Sequence, residues 1–303
     1  MDAIFLTSGD VIIDRRFEWA RDLEAKGDLA GAADLLTQTV ELSPGYAAAW
    51  FLLGSLREKQ GESAGAILAF ERAKAIDPED RHGASLRLTR LGAAQAAMSD
   101  GYVRTLFDGY ALTFDTALRA GLGYRAPELM CDAVRAAQPQ MTFGAALDLG
   151  CGTGLGGAAF RPFCKTLTGV DLSPAMVAQA RAKNIYDRLA EAEIVDFLRA
   201  EAAGLAQYDL VLAVDVFIYL HDIAEVFAQA ARVLAPHGLI AFSVETHDGD
   251  GVILRDTLRY AHSPAHVREA LTAAGLHLVS LDPAAVRSEK GAPVLGLVGV
   301  ARK

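Results

Sequence analysis

Residues 144–157 read GAALDLGCGTGLGG, an apolar run that breaks off at three alternate glycines, and few stretches limit a fold so narrowly. Ala145 to Leu149 is apolar but for Asp148, as a strand buried in a parallel sheet would be. Gly150, Gly152 and Gly154 follow at every second position. Glycine has no Cβ and accepts positive φ, so the chain can turn here and lie flat against a ligand. The helix that follows then offers free N–H groups to an anionic group. Strand, glycine turn and helix start predict an α/β domain with its ligand at this turn.

Gly152, Gly154 and Gly157 also spell GxGxxG, the dinucleotide pattern, which alone is weak. The next segment, LTGVDLSP at 167–174, ends an apolar run in Asp171 before a helix entry at Leu172, Ser173 and Pro174. A carboxylate at such a strand end can accept both hydroxyls of a ribose, whichever nucleotide-like ligand is bound. Taken alone, Asp148 would also serve as a structural helix cap. LDLGCGTG at 147–154, with Asp148 beside the strand end, resembles the first motif of class I S-adenosylmethionine-dependent methyltransferases. The resemblance implies S-adenosylmethionine as cofactor. Its binding residues would be Asp148, Gly150, Cys151, Gly152 and Gly154 at the turn, and Asp171, Leu172 and Met176 after the second strand. It further implies Asp196 as acceptor of the adenine amino group, with Phe197 flanking it. A nicotinamide oxidoreductase fits the glycine spacing only.

At 303 residues the chain is long for one domain of about 150 residues, so two domains are expected. A 52% hydrophobic content with 22% charged residues gives ample core, and a net charge of −9 argues against a nucleic-acid partner. Cys131, Cys151 and Cys164 share no metal-ligand spacing, so no metal site is expected and a reduced compartment is implied. The first ten residues, MDAIFLTSGD, lack the basic and apolar regions of a signal peptide, and no run of about eighteen apolar residues occurs. A cytoplasmic protein without a membrane span is the expectation.

Between Asp14 and Asp80 the chain repeats itself. Gly27 and Gly61, Ala32 and Ala66, and Pro44 and Pro78 are each 34 residues apart, the tetratricopeptide period. The second copy, about 47–80, places Trp50, Leu53, Gly54, Ala66, Phe70, Ala73 and Pro78 where that family has its large and small packing residues. The first, about 13–46, is looser, with Leu36 and Thr39 at two of those positions. Two repeats are fewer than normally stand alone, so a capping helix is expected over about Arg81 to Met98, with Arg81, Arg87 and Arg90 on a solvated basic face. The repeats would offer a groove to a protein partner, or a surface to a second copy of the chain.

Domains are therefore expected at 1–98, helical and tetratricopeptide-like, and at 124–303, catalytic, with a lid or linker helix at 99–123. In that linker, FDGYALTFD at 107–115 is similar to the aromatic helix that closes over the donor in related methyltransferases, which makes Tyr110 and Tyr102 lid candidates. Strands are predicted near 145–149, 167–170, 192–195, 208–214, 239–244, 277–281 and 294–301, with helices between them. Periodicity supports an α/β class. The resemblance implies a Rossmann-like, seven-stranded methyltransferase sheet with helices on both faces and its last strand reversed.

Ligands on such sheets sit at the carboxyl ends of strands, so residues leaving the fourth strand face the donor and the acceptor. Asp215 is a candidate donor contact, and Asp215 and His221 are the candidate catalytic groups if a base is needed. Phe217, Tyr219 and Tyr260 are the candidate substrate contacts. The function expected is methyl transfer from S-adenosylmethionine to an unidentified small-molecule or protein acceptor. The alternative is a tetratricopeptide adaptor whose donor-binding domain is regulatory or vestigial.

Overall fold

A computed structural model of the chain describes residues 7–94, 98–118, 123–289 and 291–303. It divides into two compact units, one ending at Thr105 and one beginning at Leu106, so the division falls inside the expected linker.

The first unit carries α1 (Val11–Ala25), α2 (Leu29–Leu42), α3 (Ala47–Lys59), α4 (Ser63–Ile76) and α5 (Ala84–Arg90). Asp10 starts α1 by accepting the N–H groups of Ile12 and Ile13, and Asp28 starts α2 by accepting that of Gly31. Gly27 and Gly61 both take positive φ, +84° and +79°, just past α1 and α3. The sequence repeat is thus a conformational repeat, because the first helix of each repeat is followed by a left-handed glycine. Ala32, Leu36, Leu53, Ala66 and Phe70 are fully buried between the helices. A Cβ at Gly54 would stand 2.8 Å from the Phe70 ring, so the α3–α4 crossing depends on the missing side chain.

The capping helix is shorter than expected. Asp80 turns the chain at φ +52° and its carboxylate accepts the N–H groups of Ala84 and Ser85, which sets the start of α5. The helix ends at Arg90, and residues 95–97 of the expected span lie outside those described. Its basic face is not solvated: Arg87 and Arg90 hold Glu58 of α3 at 3.1 and 2.6 Å. This ion cluster fastens α5 to the repeats.

The helix α6 (Asp100–Tyr110) spans the division, and α7 (Phe114–Thr116) and α8 (Ala126–Ala137) follow. The sheet then alternates with helices: β1 (Phe143–Leu149), α9 (Leu155–Phe160), β2 (Cys164–Asp171), α10 (Pro174–Ala182), β3 (Arg188–Glu191), α11 (Ile194–Ala203), β4 (Tyr208–Ala213), α12 (Ala224–Val233) and β5 (Leu234–Glu245). After β6 (Val252–Leu254) and β7 (Tyr260–His262) come α13 (Pro264–Ala273), β8 (His277–Ala284), a hairpin of β9 (Ser288–Glu289) and β10 (Ala292–Pro293), and β11 (Gly296–Arg302).

The main sheet runs β3-β2-β1-β4-β5-β11-β8, and β6 and β7 extend it beside β5. Strands β1 to β5 pair in parallel, while β11 is antiparallel to both its neighbours. That is the seven-stranded, last-reversed sheet the resemblance implies. Alternation along β4 shows why both faces are covered: Val211 and Ala213 join the core under α11, α12 and α13, while Leu210 and Leu212 join the core under α8 and α9. Strand order reverses between β1 and β4, and a crevice outside the carboxyl ends at such a switch point is where open α/β sheets take ligands.

The third strand differs from the expectation at 192–195: β3 is Arg188–Glu191 and α11 begins at Ile194. Glu193 caps that helix by accepting the Asp196 N–H, a signal the apolar pair Ile194–Val195 obscured.

Candidate functional site

The glycine turn lies where β1 ends, at the switch point. Gly150, Gly152 and Gly154 have φ of +60°, +52° and +92°, which a side chain would strain. Two of them are also walled in. A Cβ on Gly150 would stand 2.6 Å from Val216, just after β4, and one on Gly154 would stand 2.9 Å from Ile185. Gly152 differs, since an added Cβ would find only the Phe114 ring, at 3.9 Å. The open side of the turn is therefore at Gly152.

Asp171, at the end of β2, faces this turn. Its carboxylate accepts the Gly152 N–H at 2.8 Å and the Ser173 N–H at 2.8 Å, one on each oxygen. A carboxylate has about four acceptor positions, so not all of them are used. Burial raises its pKa, and the N–H groups of Ser173, Gly152 and Leu172 pull the other way. Leu172 is half-buried and Met176 fully buried beyond it; Met176 donates its N–H to the Ser173 side chain that caps α10.

Asp148 is buried. Its Oδ2 accepts the Tyr186 hydroxyl at 2.7 Å, and desolvation pushes its pKa up to about 7. The Gly157 N–H, in the first turn of α9, pulls the other way. Cys151 is buried, donating its N–H to Val170, and desolvation holds its thiol well above the ordinary range.

The segment before the sheet closes on the turn through carboxylates that sequence reasoning did not single out. Asp108 of α6 accepts the Ser173 hydroxyl at 2.6 Å and the Ala175 N–H at 3.3 Å, at the start of α10. Asp115 of α7 accepts the Thr153 hydroxyl and pairs with Lys183 at 2.5 Å. Phe107 meets Phe114 at 6.0 Å and Tyr219 at 5.1 Å between centroids, both edge-on. The lid candidates fall elsewhere. Tyr110 is 51% exposed, and the Tyr102 ring lies against Gly83 in the first unit.

Asp196 and Phe197 are not placed as the resemblance implies. Asp196 is in the first turn of α11, exposed and paired with Arg199, while Phe197 is buried in the sheet core with Arg188 over its ring. The carboxyl end of β3 is Glu191, so residues 192 and 193 stand where an adenine contact was sought. Phe217 is likewise core, packed on Phe227 and Phe242. His221 is exposed and meets the buried Tyr260 ring edge-on. His262, fully buried, sets its Nε2 3.1 Å from the Phe217 carbonyl. That carbonyl can only accept, so Nε2 carries the proton and His262 pins the loop after β4.

Asp215 has φ +60° and does not point at solvent alone. Its carboxylate takes one nitrogen of Arg287 at 2.7 and 2.9 Å. Arg287, in the loop after β8, is also bonded to Glu245 and lies 3.3 Å from Glu289. Arg259 bonds Glu289 and the Tyr219 hydroxyl, and Arg255 pairs with Glu245 at 3.4 Å. Tyr219 and Tyr260 are candidates in the sequence and mark this edge, but Arg287 carries no local signal: the loop that holds it has no motif. These groups share the carboxyl edge of β4, β5 and β8, beside the glycine turn.

Residues 147–242 match the family model of a methyltransferase domain, and residues 17–81 that of a tetratricopeptide repeat. The chain is 32% identical over 134 residues to trans-aconitate 2-methyltransferase of Escherichia coli O1:K1 / APEC, covering 43% of this chain and 50% of that protein. It is 31% identical over 117 residues to the malonyl-[acyl-carrier protein] O-methyltransferase of Enterobacter lignolyticus, covering 39% and 45%. The chain spans half or less of the length of the curated relatives it matches. Among solved structures, the Burkholderia thailandensis 1,6-didemethyltoxoflavin-N1-methyltransferase, with S-adenosylhomocysteine bound, aligns at TM-score 0.53 and 21% identity. The alignment covers 69% of this chain and 92% of that one, and establishes a shared fold.

Proposed function

We propose that this chain, a methyltransferase domain joined to tetratricopeptide repeats, is a cytoplasmic enzyme that transfers a methyl group from S-adenosylmethionine to an acceptor. The observation that carries the reading is Asp171: a buried carboxylate at the end of β2, fixed by the Gly152 and Ser173 N–H groups, with acceptor positions left over. Such a group suits a ribose diol, and the open face at Gly152 suits the flat approach of a nucleoside. The residues present fit the donor, and Asp171, Gly150, Gly152 and Gly154 are those that would hold it.

S-adenosylmethionine supplies a methyl already activated on a sulfonium. The chain's residues have alignment and exclusion of water left to do. Val216 and the Gly150–Gly154 turn form the floor, Phe114 is the ring nearest Gly152 with Phe107 edge-on to it, and Asp108 and Asp115 fasten this segment to the domain. Asp215 is held by Arg287, so it positions the acceptor side and does not serve as a free base. His221, exposed, remains available to move a proton if the acceptor needs it.

The relatives named as trans-aconitate and malonyl-carrier methyltransferases point toward a carboxylate-bearing acceptor. The repeats, with a small groove lined by Val40, Trp50, Arg72 and Ile76, are the part of the chain offered to a protein partner. Methyl-labelled donor incubated with separated small-molecule and protein fractions of an extract tests the activity. Label should enter a product with the native protein and not with Asp171→Ala. Equal labelling by both proteins would contradict the reading.

A further inference from the structure

The charges at the carboxyl edge of β4, β5 and β8 are arranged with one carboxylate unlike the others. Arg255, Arg259 and Arg287 face Asp215, Glu245 and Glu289. Asp215 follows the central strand β4 and Glu245 ends β5, and their side chains are 16% and 3% exposed. Glu289 is 27% exposed and rides on the β9–β10 hairpin, whose strands are two residues each. Few bonds hold such an element, so it opens at little cost. With Glu289 counted, three guanidinium groups meet three carboxylates. Without it one positive charge is left over: Arg287 keeps Asp215 and Glu245, so the surplus falls on Arg259, 25% exposed beside it, which loses its nearest carboxylate.

The place of this surplus follows from the aromatic contacts. Arg259 bonds Tyr219; Tyr219 meets Phe107, Phe107 meets Phe114, and Phe114 is the ring nearest Gly152. The two arginines thus stand a short way along the edge from the donor turn, where an acceptor has to lie.

We propose that Arg259 and Arg287 form an anchoring site for a carboxylate of a small organic-acid acceptor, and that Glu289 holds the position this carboxylate takes over. The proposal rests on the methyltransferase reading above. The anchored carboxylate is distinct from the atom that receives the methyl, because a guanidinium pair withdraws its lone pairs from attack. Arg287 is 1% and Arg259 25% exposed, which favours a free acid over a protein chain.

The test is to refill the position. In Glu289→Ala, sodium acetate should raise the unfolding midpoint by several degrees over sodium chloride at the same ionic strength. It should do nothing for the native protein's midpoint or for the Glu289→Ala/Arg259→Gln double variant. S-adenosylhomocysteine affinity, measured in parallel, should stay within about twofold in all three. No acetate effect in Glu289→Ala, or an equal effect in the double variant, overturns the site. A response to N-acetyl-triglycine stronger than to acetate would assign the site to a peptide terminus and overturn the small-acid assignment. Failure of the native protein to bind S-adenosylhomocysteine, with the acetate response intact, would remove the methyltransferase reading and leave the carboxylate site standing.

Discussion

Gly150 and Gly152 both sit in the left-handed region, yet only Gly150 has a neighbour waiting for its missing Cβ, Val216 at 2.6 Å. Gly152→Ala should cost about 1–2 kcal/mol, the strain of a left-handed residue, whereas Gly150→Ala adds a clash to the same strain and should cost clearly more. Urea unfolding of the two variants decides it, and equal losses would mean that the wall at Val216 gives way. Asp148 makes a different prediction. Its folded pKa, about 7, lies above the ordinary 3.8, so the protonated form suits the fold. Stability from this group is full below the ordinary value and falls as pH rises through the folded one, at up to 1.36 kcal/mol per pH unit. Asp148→Asn should therefore gain on the native protein between about pH 4 and pH 7, read from urea midpoints across that range; a constant gap would contradict it. The roles of these residues were unevenly legible. Spacing marks the glycines and Asp171, because the turn demands them. Nothing local told that Asp148 would meet Tyr186, 38 residues on.

At the scale of elements, apolar alternation located β1, β2 and β4 within a few residues, since each is bounded by glycine or acid. It failed at β3, where Ala190 and Ala192 give little contrast and the capping Glu193 reads as one more charge. The resemblance to an aromatic closing helix points to Tyr110, but α6 and α7 bind through Asp108 and Asp115, whose partners are far away in sequence. The same contacts give a test. Asp108→Ala removes acceptors from the Ser173 hydroxyl and the Ala175 N–H, at a cost of about 1 kcal/mol. Hydrogen exchange across 106–118 should quicken while β1 and β4 keep their protection. Unchanged exchange there would show that the aromatic contacts alone hold the segment.

For the molecule as a whole, length and the 34-residue period announced two parts, and the chain resolves into two compact units. Where they divide was not legible, because α6 runs through the boundary without a break. Gly54→Ala probes one unit by itself. The new Cβ meets the Phe70 ring and should destabilise the helical unit by about 1–3 kcal/mol, with donor affinity unchanged. A fall in donor affinity would tie the repeats to the donor site. The net charge of −9 pointed away from polyanions, but it hid the arginine cluster at the sheet edge, which long-range pairing brings together. The central claim is that Asp171 holds the donor. Calorimetric titration of the native protein and of Asp171→Ala with S-adenosylmethionine, S-adenosylhomocysteine and the nicotinamide dinucleotides addresses it directly. Binding of the first two alone, weakened about 100-fold or more in the variant as two charged hydrogen bonds are lost, is the result expected. Binding of a nicotinamide dinucleotide, or undiminished donor binding by Asp171→Ala, would contradict the account.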